Sequence, residues 1–343
     1  IRDGPQCLVG SEMCIRDRGN AALLPVVLQQ NKGLKVLPFL VVDAEIEGDV
    51  DSLAFLDLYL EGFKGMKVDG AGAVGGRLRL DQGKLLPGTD LTIAARELSL
   101  SLLSHRAVGS GSIKMDVTAE EPQALDLVVQ FDTLNAYHEK EERPLFSGEG
   151  LAVSGSAGTT MQMLQGGEST VSRLLLTVPE VKVPELAVYQ RYVPAKWQLK
   201  LHGGVGELNA RAELLQTSFS ADLSLTSADA DVGVKDYRFR TDLDLGIKFD
   251  NPSFASGLVD ISGTYIRLGD SKLASKERGK SGLIQTELVV TKGQLELQLP
   301  ELENEDASVK QLSQALKQHD LNTLLSSANA EIEIDGAMSD LSW

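Results

Sequence analysis

The sequence predicts an all-β fold built on a large antiparallel sheet of repeated hairpins, and three observations carry that reading. From about Leu53 to Ile334, short runs place an aliphatic residue at every second position: Leu125, Leu127, Val129 and Phe131; Leu243, Leu245, Ile247 and Phe249; Leu295, Leu297 and Leu299. Successive side chains on a strand point to opposite faces, so each run is a strand with one apolar and one polar face. Glycine-rich steps recur between the runs, as in AVGSGSIKMDV, FSGEGLAVSG and LHGGVGELNARAEL. These steps supply turns at short intervals but have no fixed period of the kind a propeller or leucine-rich array shows. The third observation is that only two short helical stretches interrupt the strands.

In chain order, residues 1–18 (IRDGPQCLVGSEMCIRDR) follow neither the strand rhythm nor a targeting pattern. They resemble the translated sequencing-adapter tails found at the ends of metagenomic reading frames and are read as non-native, leaving 19–343 as one elongated β region. Residues 19–42 read as a mixed apolar segment, a short helix and then a strand. Leu56, Leu58 and Leu60 take strand spacing, and Asp69-Gly70, Gln82-Gly83 and Pro87-Gly88 read as turns of the following hairpins. Ile113, Met115 and Val117 are in phase on a further strand, as are Leu174, Leu176 and Val178. Pro184 opens a short helix with Leu186, Tyr189 and Val193 on one face, and Pro194 closes it, so a sub-boundary falls near 180–196. A second helix spans about Ser308 to Ser327, with Ser308 and Gln311 as a capping box and Val309, Leu312 and Leu316 as its apolar stripe. Glu331 to Ile334 is a strand, and Asp335-Gly336 reads as a hairpin turn before a partner strand cut at Trp343.

Composition narrows the function. The chain is 42% hydrophobic but 5% aromatic, with net charge -16, which is too apolar for disorder and lacks the basic surface that phosphate backbones require. Nucleic acid is therefore not an expected partner. Setting aside 1–18 removes Cys7 and Cys14, and with them disulfides, thiolate metal sites and cysteine nucleophiles. The apolar stretches 21–28 and 36–42, broken by Pro25 and Pro38, fall short of the roughly 18 to 20 residues that span a bilayer.

Chemical motifs do not survive their context. Gly70, Gly72 and Gly75 spell GxGxxG, but a strand (Arg77 to Leu80) follows where a dinucleotide site needs a helix N-terminus. ASKERGKS (274–281) misses a phosphate-binding loop at Ala274 and also runs into a strand. His105, His138, His202 and His319 lie in four separate segments without metal-ligand spacing, and His138 in YHEKEE reads as an exposed loop residue. Asp229, Asp231, Gly233 and Asp236 lack the later bidentate Glu of a calcium loop and read as polar-face acids. No GxSxG elbow is present, and carboxylates are too numerous to single out a glycosidic pair. No catalytic constellation, cofactor or metal is expected.

What remains is the apolar face. Each of its aliphatic side chains contributes roughly 1.5 to 3 kcal/mol when buried, and soluble monomers rarely expose apolar patches beyond about 300 to 600 Å². A second sheet, closure into a barrel, or a trough filled by lipid would each cover it, and all three share this alternation.

VPELAVYQRYVPAKWQLKLHGGVGELNARAELLQTSFSADLSL joins a Pro-bounded helix to a Val-Pro step, a glycine-rich turn and alternating strands; GRLRLDQGKLLPGTDLTIAARELSL and GLVDISGTYIRLGDS share its style. The pattern resembles the AsmA-like group of bacterial envelope proteins, of the TamB and YdbH types, over most of residues 50–300. The resemblance implies an internal fragment of a periplasmic protein anchored in the inner membrane by a segment not seen here. It further implies a curled, taco-like sheet whose open apolar groove holds or conducts phospholipid acyl chains between membranes, or assists outer-membrane assembly, without enzymatic activity. The groove lining expected on that basis is Leu125, Leu127, Val129, Leu174, Leu176, Leu223, Leu225, Leu243, Leu245, Ile247, Leu295 and Leu297. A closed β-sandwich or barrel with a structural or adhesin-like role is the rival expectation, and a carbohydrate-active enzyme a third.

Overall fold

A computed structural model describes residues 6–7, 14–15, 41–53, 66–102, 104–119, 123–139, 141–158, 173–193, 198–215, 218–234, 237–251, 258–273, 283–296 and 329–338. The fold is all-β, as the alternation predicts, with one short helix among the described residues. The strands are β1 (Gln6–Cys7), β2 (Cys14–Ile15), β3 (Val41–Val50), β4 (Met66–Asp81), β5 (Lys84–Leu85), β6 (Asp90–Leu102), β7 (His105–Val117), β8 (Ala124–His138), β9 (Phe146–Gly148) and β10 (Ala152–Gly158). They continue as β11 (Arg173–Val183), β12 (Leu199–Gly203), β13 (Gly206–Leu215), β14 (Phe219–Val234), β15 (Tyr237–Asn251), β16 (Leu258–Asp260), β17 (Tyr265–Leu273), β18 (Leu283–Glu296) and β19 (Asn329–Met338). β1 and β2 pair only with each other's two residues, Gln6 with Ile15 and Cys7 with Cys14, in a separate minimal ladder. The predicted strand at Leu56–Leu60, the helix at 308–327, the loop 274–281 and residues Leu297, Leu299 and His319 lie outside the described residues.

The chain forms two compact units: residues 1–102, 108–132 and 152–174, and residues 103–107, 133–151 and 175–343. In the first, β3, β4 and β6 pair antiparallel, as do β8 and β10. Gln82 and Gly83 both take positive φ (51° and 85°), the geometry of a tight hairpin between β4 and β5. Pro87 and Gly88 (φ 85°) turn the chain back toward β6, with Thr89 N–H donating to Leu86 O at 3.1 Å. The Thr89 hydroxyl, fully buried, donates to Arg79 O (2.9 Å) and accepts from Arg79 N (3.1 Å).

Asp69-Gly70 does not turn. It lies inside β4, opposite Ser99 and Leu98 of β6, and Gly70 has φ 140°. There β6 carries an extra residue, Arg96, and its backbone presses so close that a Cβ on Gly70 would overlap Glu97 O. The glycine serves a close strand approach. Asp335-Gly336 is likewise continuous strand, paired with Val289 and Leu288, because the Leu288 side chain lies across the glycine's bare Cα.

The buried phase changes within two of the long strands, and in β6 the bulge at Arg96 is the cause. In β6, Leu91, Ile93 and Ala95 are buried, Arg96 and Glu97 are exposed in succession, and Leu98 and Leu100 are buried again in the opposite phase. In β8 the buried set steps from Leu125, Leu127, Val129 and Phe131 to Leu134 and Ala136 across exposed Asp132 and Thr133. In β6 the one inserted residue restores the core face after the period-two pattern would have turned it outward.

Candidate functional site

The apolar faces of the two units differ in how completely they are covered. In the first, Val68, Ile93, Leu98, Ile113, Val129 and Phe131 are fully buried. The expected lining residues Leu125, Leu127 and Val129 on β8 oppose Ala157, Gly155 and Val153 of β10. Leu174 reaches to 3.6 Å of the Cβ position that Gly155 leaves empty. All four are buried.

In the second unit the register aligns one residue from each of five strands into a single row. Leu208 opposes Leu225, Leu225 opposes Leu245, Leu245 opposes Ile266, and Ile266 opposes Leu288, so all five side chains project from the same face. A parallel row runs Ala210, Leu223, Ile247, and another Ser227, Leu243, Leu268. Beyond an extra residue at Thr291, β18 continues the face through Leu295, which opposes Val259, while β19 adds Ile332 and Ile334. Of the expected lining, Leu223, Leu225, Leu243, Leu245 and Ile247 are therefore brought together on adjacent β14 and β15, with Leu295 on the same face. Leu176 is half-buried on β11, and Leu297 lies outside the described residues.

Cover falls away along the main row. Leu208 and Leu225 are 5% and 6% exposed, Leu245 and Ile266 are intermediate, and Leu288 is 40% exposed. On β19, Ile332 and Ile334 reach 42% and 59%. Leu288, Ile332 and Ile334 were absent from the expected lining; their alternation with Glu287, Glu331, Glu333 and Asp335 was the signal available for finding them.

The opposite face is polar and internally paired. Arg267 donates to Asp244 (3.2 Å) and to Glu287 (2.7 Å), its two neighbours in register, and Lys292 lies 3.3 Å from Glu333. Asp231 accepts both guanidinium arms of Arg238, and that pairing holds its carboxyl below the ordinary carboxylate value. Asp231 thus belongs to a cross-strand ion pair, and no cluster of three metal-ligating side chains occurs among the described residues.

A helix closes the well-covered end. A helix forms where the sequence predicts one, but it is 3₁₀, Leu186–Tyr192, and it starts two residues after Pro184, with the Glu185 side chain as N-cap accepting from Ala187 N–H at 3.5 Å. Three residues per turn put Leu186, Tyr189 and Tyr192 on one face, where α-helical spacing had selected Val193. Leu186, fully buried, donates its N–H to Gly204 O (2.8 Å). Its Cδ2 and Leu225 Cδ1 lie 3.6 and 3.5 Å from the empty Cβ position of Gly206. Gln190 spans to β12, donating to Leu199 O (3.2 Å) and accepting from Leu201 N–H (2.6 Å).

Tyr192 and Tyr189 also tie the helix to His105 and Leu145. Tyr192 Oη is 2.7 Å from His105 Nε2, Tyr189 donates to Leu145 O (3.1 Å), and Arg191 pairs with Glu141 (3.3 Å). His138 is not an isolated loop residue: it ends β8 half-buried and meets the His105 ring edge-on, 5.4 Å between centroids. Antiparallel pairing of a strand that starts at 105 with one that ends at 138 produces this neighbourhood, and Glu139 N–H donates to Ser104 O at 2.7 Å beside it. Burial, then His138 and Arg191, lowers the His105 pKa from 6.5 to about 4; burial raises those of Tyr189 and Tyr192.

Among the described residues, no helix is long and apolar enough to cross a membrane. The chain matches no protein-family model, no curated protein and no solved structure.

Proposed function

We propose that this protein is a non-enzymatic lipid-binding component of a bacterial cell envelope, and that the apolar face of β13 to β19 takes phospholipid acyl chains. The observation that carries the reading is the single-faced row from Leu208 to Leu288, buried at one end and open at the other. A filled core has no reason to expose Leu288, Ile332 and Ile334 in succession on one face while the opposite face is satisfied by ion pairs. Aliphatic side chains in rows suit a flexible hydrocarbon chain, which needs dispersion contact and no directional partner. The AsmA-like sequence pattern supports the same reading and adds the periplasm as location, an inner-membrane anchor on the parent protein, and transfer between membranes or outer-membrane assembly as the purpose.

The buried face of the first unit favours a second role within the same protein. With Val129, Phe131 and Ile113 fully enclosed, that unit serves as a structural module.

Native mass spectrometry of the purified protein, followed by titration with a fluorescent fatty acid, tests the proposal. Co-purified phospholipid and saturable probe binding that Leu288→Asp abolishes are the expected results. A protein that is lipid-free and ignores the probe refutes the reading.

A further inference from the structure

We propose that the 3₁₀ helix Leu186–Tyr192 is an acid-released plug: near neutral pH Leu186 closes the Leu208–Leu225 end of the apolar face, and protonation of His105 frees the helix. The inference rests on the acyl-chain reading for its purpose but not for its mechanism.

The plug is defined by geometry. Leu186 enters the face where β13 has no side chain, at Gly206, and stands beside Leu225, the second member of the row. A side chain at 206 would strike Thr226 O, 2.5 Å from the Cβ position, and Leu186 packs at van der Waals distance over the glycine that is kept there. The flanking strands hold the helix through Gly204 O and the two Gln190 bonds, and its far end is held at the ring cluster by Tyr192, Tyr189 and Arg191. Closure of this end of the row is therefore carried by a seven-residue segment attached through side chains and a few backbone bonds. Segments held in this way are the ones that open locally.

The groups that face His105 decide what acid does. From the helix they are Tyr189, Tyr192 and Arg191; from the end of β8, His138; and from the segment after it, Glu141, whose carboxylate is engaged by Arg191. Arg106, beside it on β7, is directed over the Tyr137 ring at 5.9 Å. A proton on buried His105 faces the Arg191 guanidinium and the His138 ring, with the carboxylate of Glu141 already committed. The charge is relieved by moving the helix, which carries Tyr192 and Arg191 away and admits water to the imidazole. With titration near 4 in place and near 6.5 once released, the released state gains by about 30-fold between roughly pH 7.5 and pH 5.

Hydrogen exchange of the full chain, read by mass spectrometry on peptides covering 186–192 and corrected for intrinsic rates, measures the release directly. Protection near pH 7.5 and its loss by tenfold or more near pH 5 is expected, with β8 and β14 remaining protected. H105Q keeps a neutral side chain able to bond Tyr192 and should hold the segment protected at both pH values. Y192F should expose it already at neutral pH. Equal protection of 186–192 at both pH values, or a wild-type pH response in H105Q, overturns the proposal. Binding of cis-parinaric acid in the same samples separates the two readings: release without probe binding at either pH leaves the plug standing and removes the acyl-chain function, whereas probe binding without release does the reverse.

Discussion

The Tyr265 ring lies flat over Gly246, its partner across β15 and β17, on the polar face of the second unit. The phenol donates to Asp244 Oδ1 (3.1 Å), and the Arg267 guanidinium sits 4.4 Å from the ring centroid. An aromatic ring that fills the gap over a strand glycine restores contact the glycine cannot make. Any Cβ at 246 would strike the ring. Gly246→Ala is therefore expected to destabilise by about 1 to 2 kcal/mol despite the better strand propensity of alanine, through loss of the Tyr–Asp hydrogen bond and the cation–π contact. Urea unfolding of Gly246→Ala, Tyr265→Ala and the double variant checks this. Once the ring is gone the alanine should cost little, so the double variant should be less destabilised than the sum.

Gly70 is constrained more severely. Its φ of 140° and the proximity of Glu97 O leave no room for a side chain between β4 and the bulge at Arg96. Gly70→Val should cost about 3 kcal/mol or more, from backbone strain together with separation of the strands. Gly75, the last glycine of the same motif, lies outside the positive-φ set and has open space at its Cβ position, so Gly75→Ala should be within about 0.5 kcal/mol of neutral. Thermal denaturation of the two variants compares the predictions directly. Equal effects would show that the glycine run acts through strand propensity alone.

Period-two alternation made the strands legible because one face of each is buried, and the two-residue pattern is the direct imprint of that burial. It failed where the buried phase changes within a strand, whether at an extra residue, as at Arg96, or not. Phe131 ended the predicted run in β8, although the strand continues through Asp132 and Thr133 to His138. Two adjacent exposed polar residues between in-phase sets, as at Arg96-Glu97, are the sequence mark of such a bulge. Asp69-Gly70 and Asp335-Gly336 misled for a related reason: the dipeptide favours a turn locally, but glycine is equally required where a neighbouring strand or side chain presses on the backbone. Of the candidate site, residues 223–247 were legible as one face because they lie on consecutive strands. The gradient of cover was not, since it depends on Leu186 and on register across five strands. The His105–His138–Tyr192 cluster escaped because its members are separated by up to 87 residues and the 3₁₀ spacing that selects Tyr192 differs from α-helical spacing.

The cover gradient predicts opposite outcomes for the same substitution at two ends of one row. Leu225 is 6% exposed and packed beside Leu186, so Leu225→Asp buries an unpaired carboxylate and should destabilise by about 3 kcal/mol or more. At 40% exposure, Leu288 lets an aspartate reach water, and Leu288→Asp should change stability by less than about 1 kcal/mol while removing fatty-acid binding. Ile334→Asp should behave like Leu288→Asp. Denaturation midpoints and probe titrations on the three variants separate fold from site; a Leu288→Asp protein that binds normally would place the ligand elsewhere.

Acid should draw stability from His105 in a defined window. Its folded pKa, about 4, lies below the ordinary 6.5, so the unfolded chain takes up the proton first as pH falls. The stability this neutral, buried imidazole contributes is complete above about pH 6.5, drains as pH falls toward about 4, and is constant below that. A shift of this size corresponds to a loss of about 3 kcal/mol across the window. The carboxylates act in a different range: Asp231, held low first by its hydrogen bond to Arg238, and Asp260, held low by Ser262, lose their contribution only as pH falls below the ordinary carboxylate value. Urea midpoints collected from about pH 8 to pH 4 should therefore fall in wild type within the histidine window, while H105Q should stay flat there and decline only in the carboxylate range. A wild-type curve that is flat down to about pH 4.5 would mean that His105 is protonated in place without penalty, contrary to its burial against Arg191 and His138.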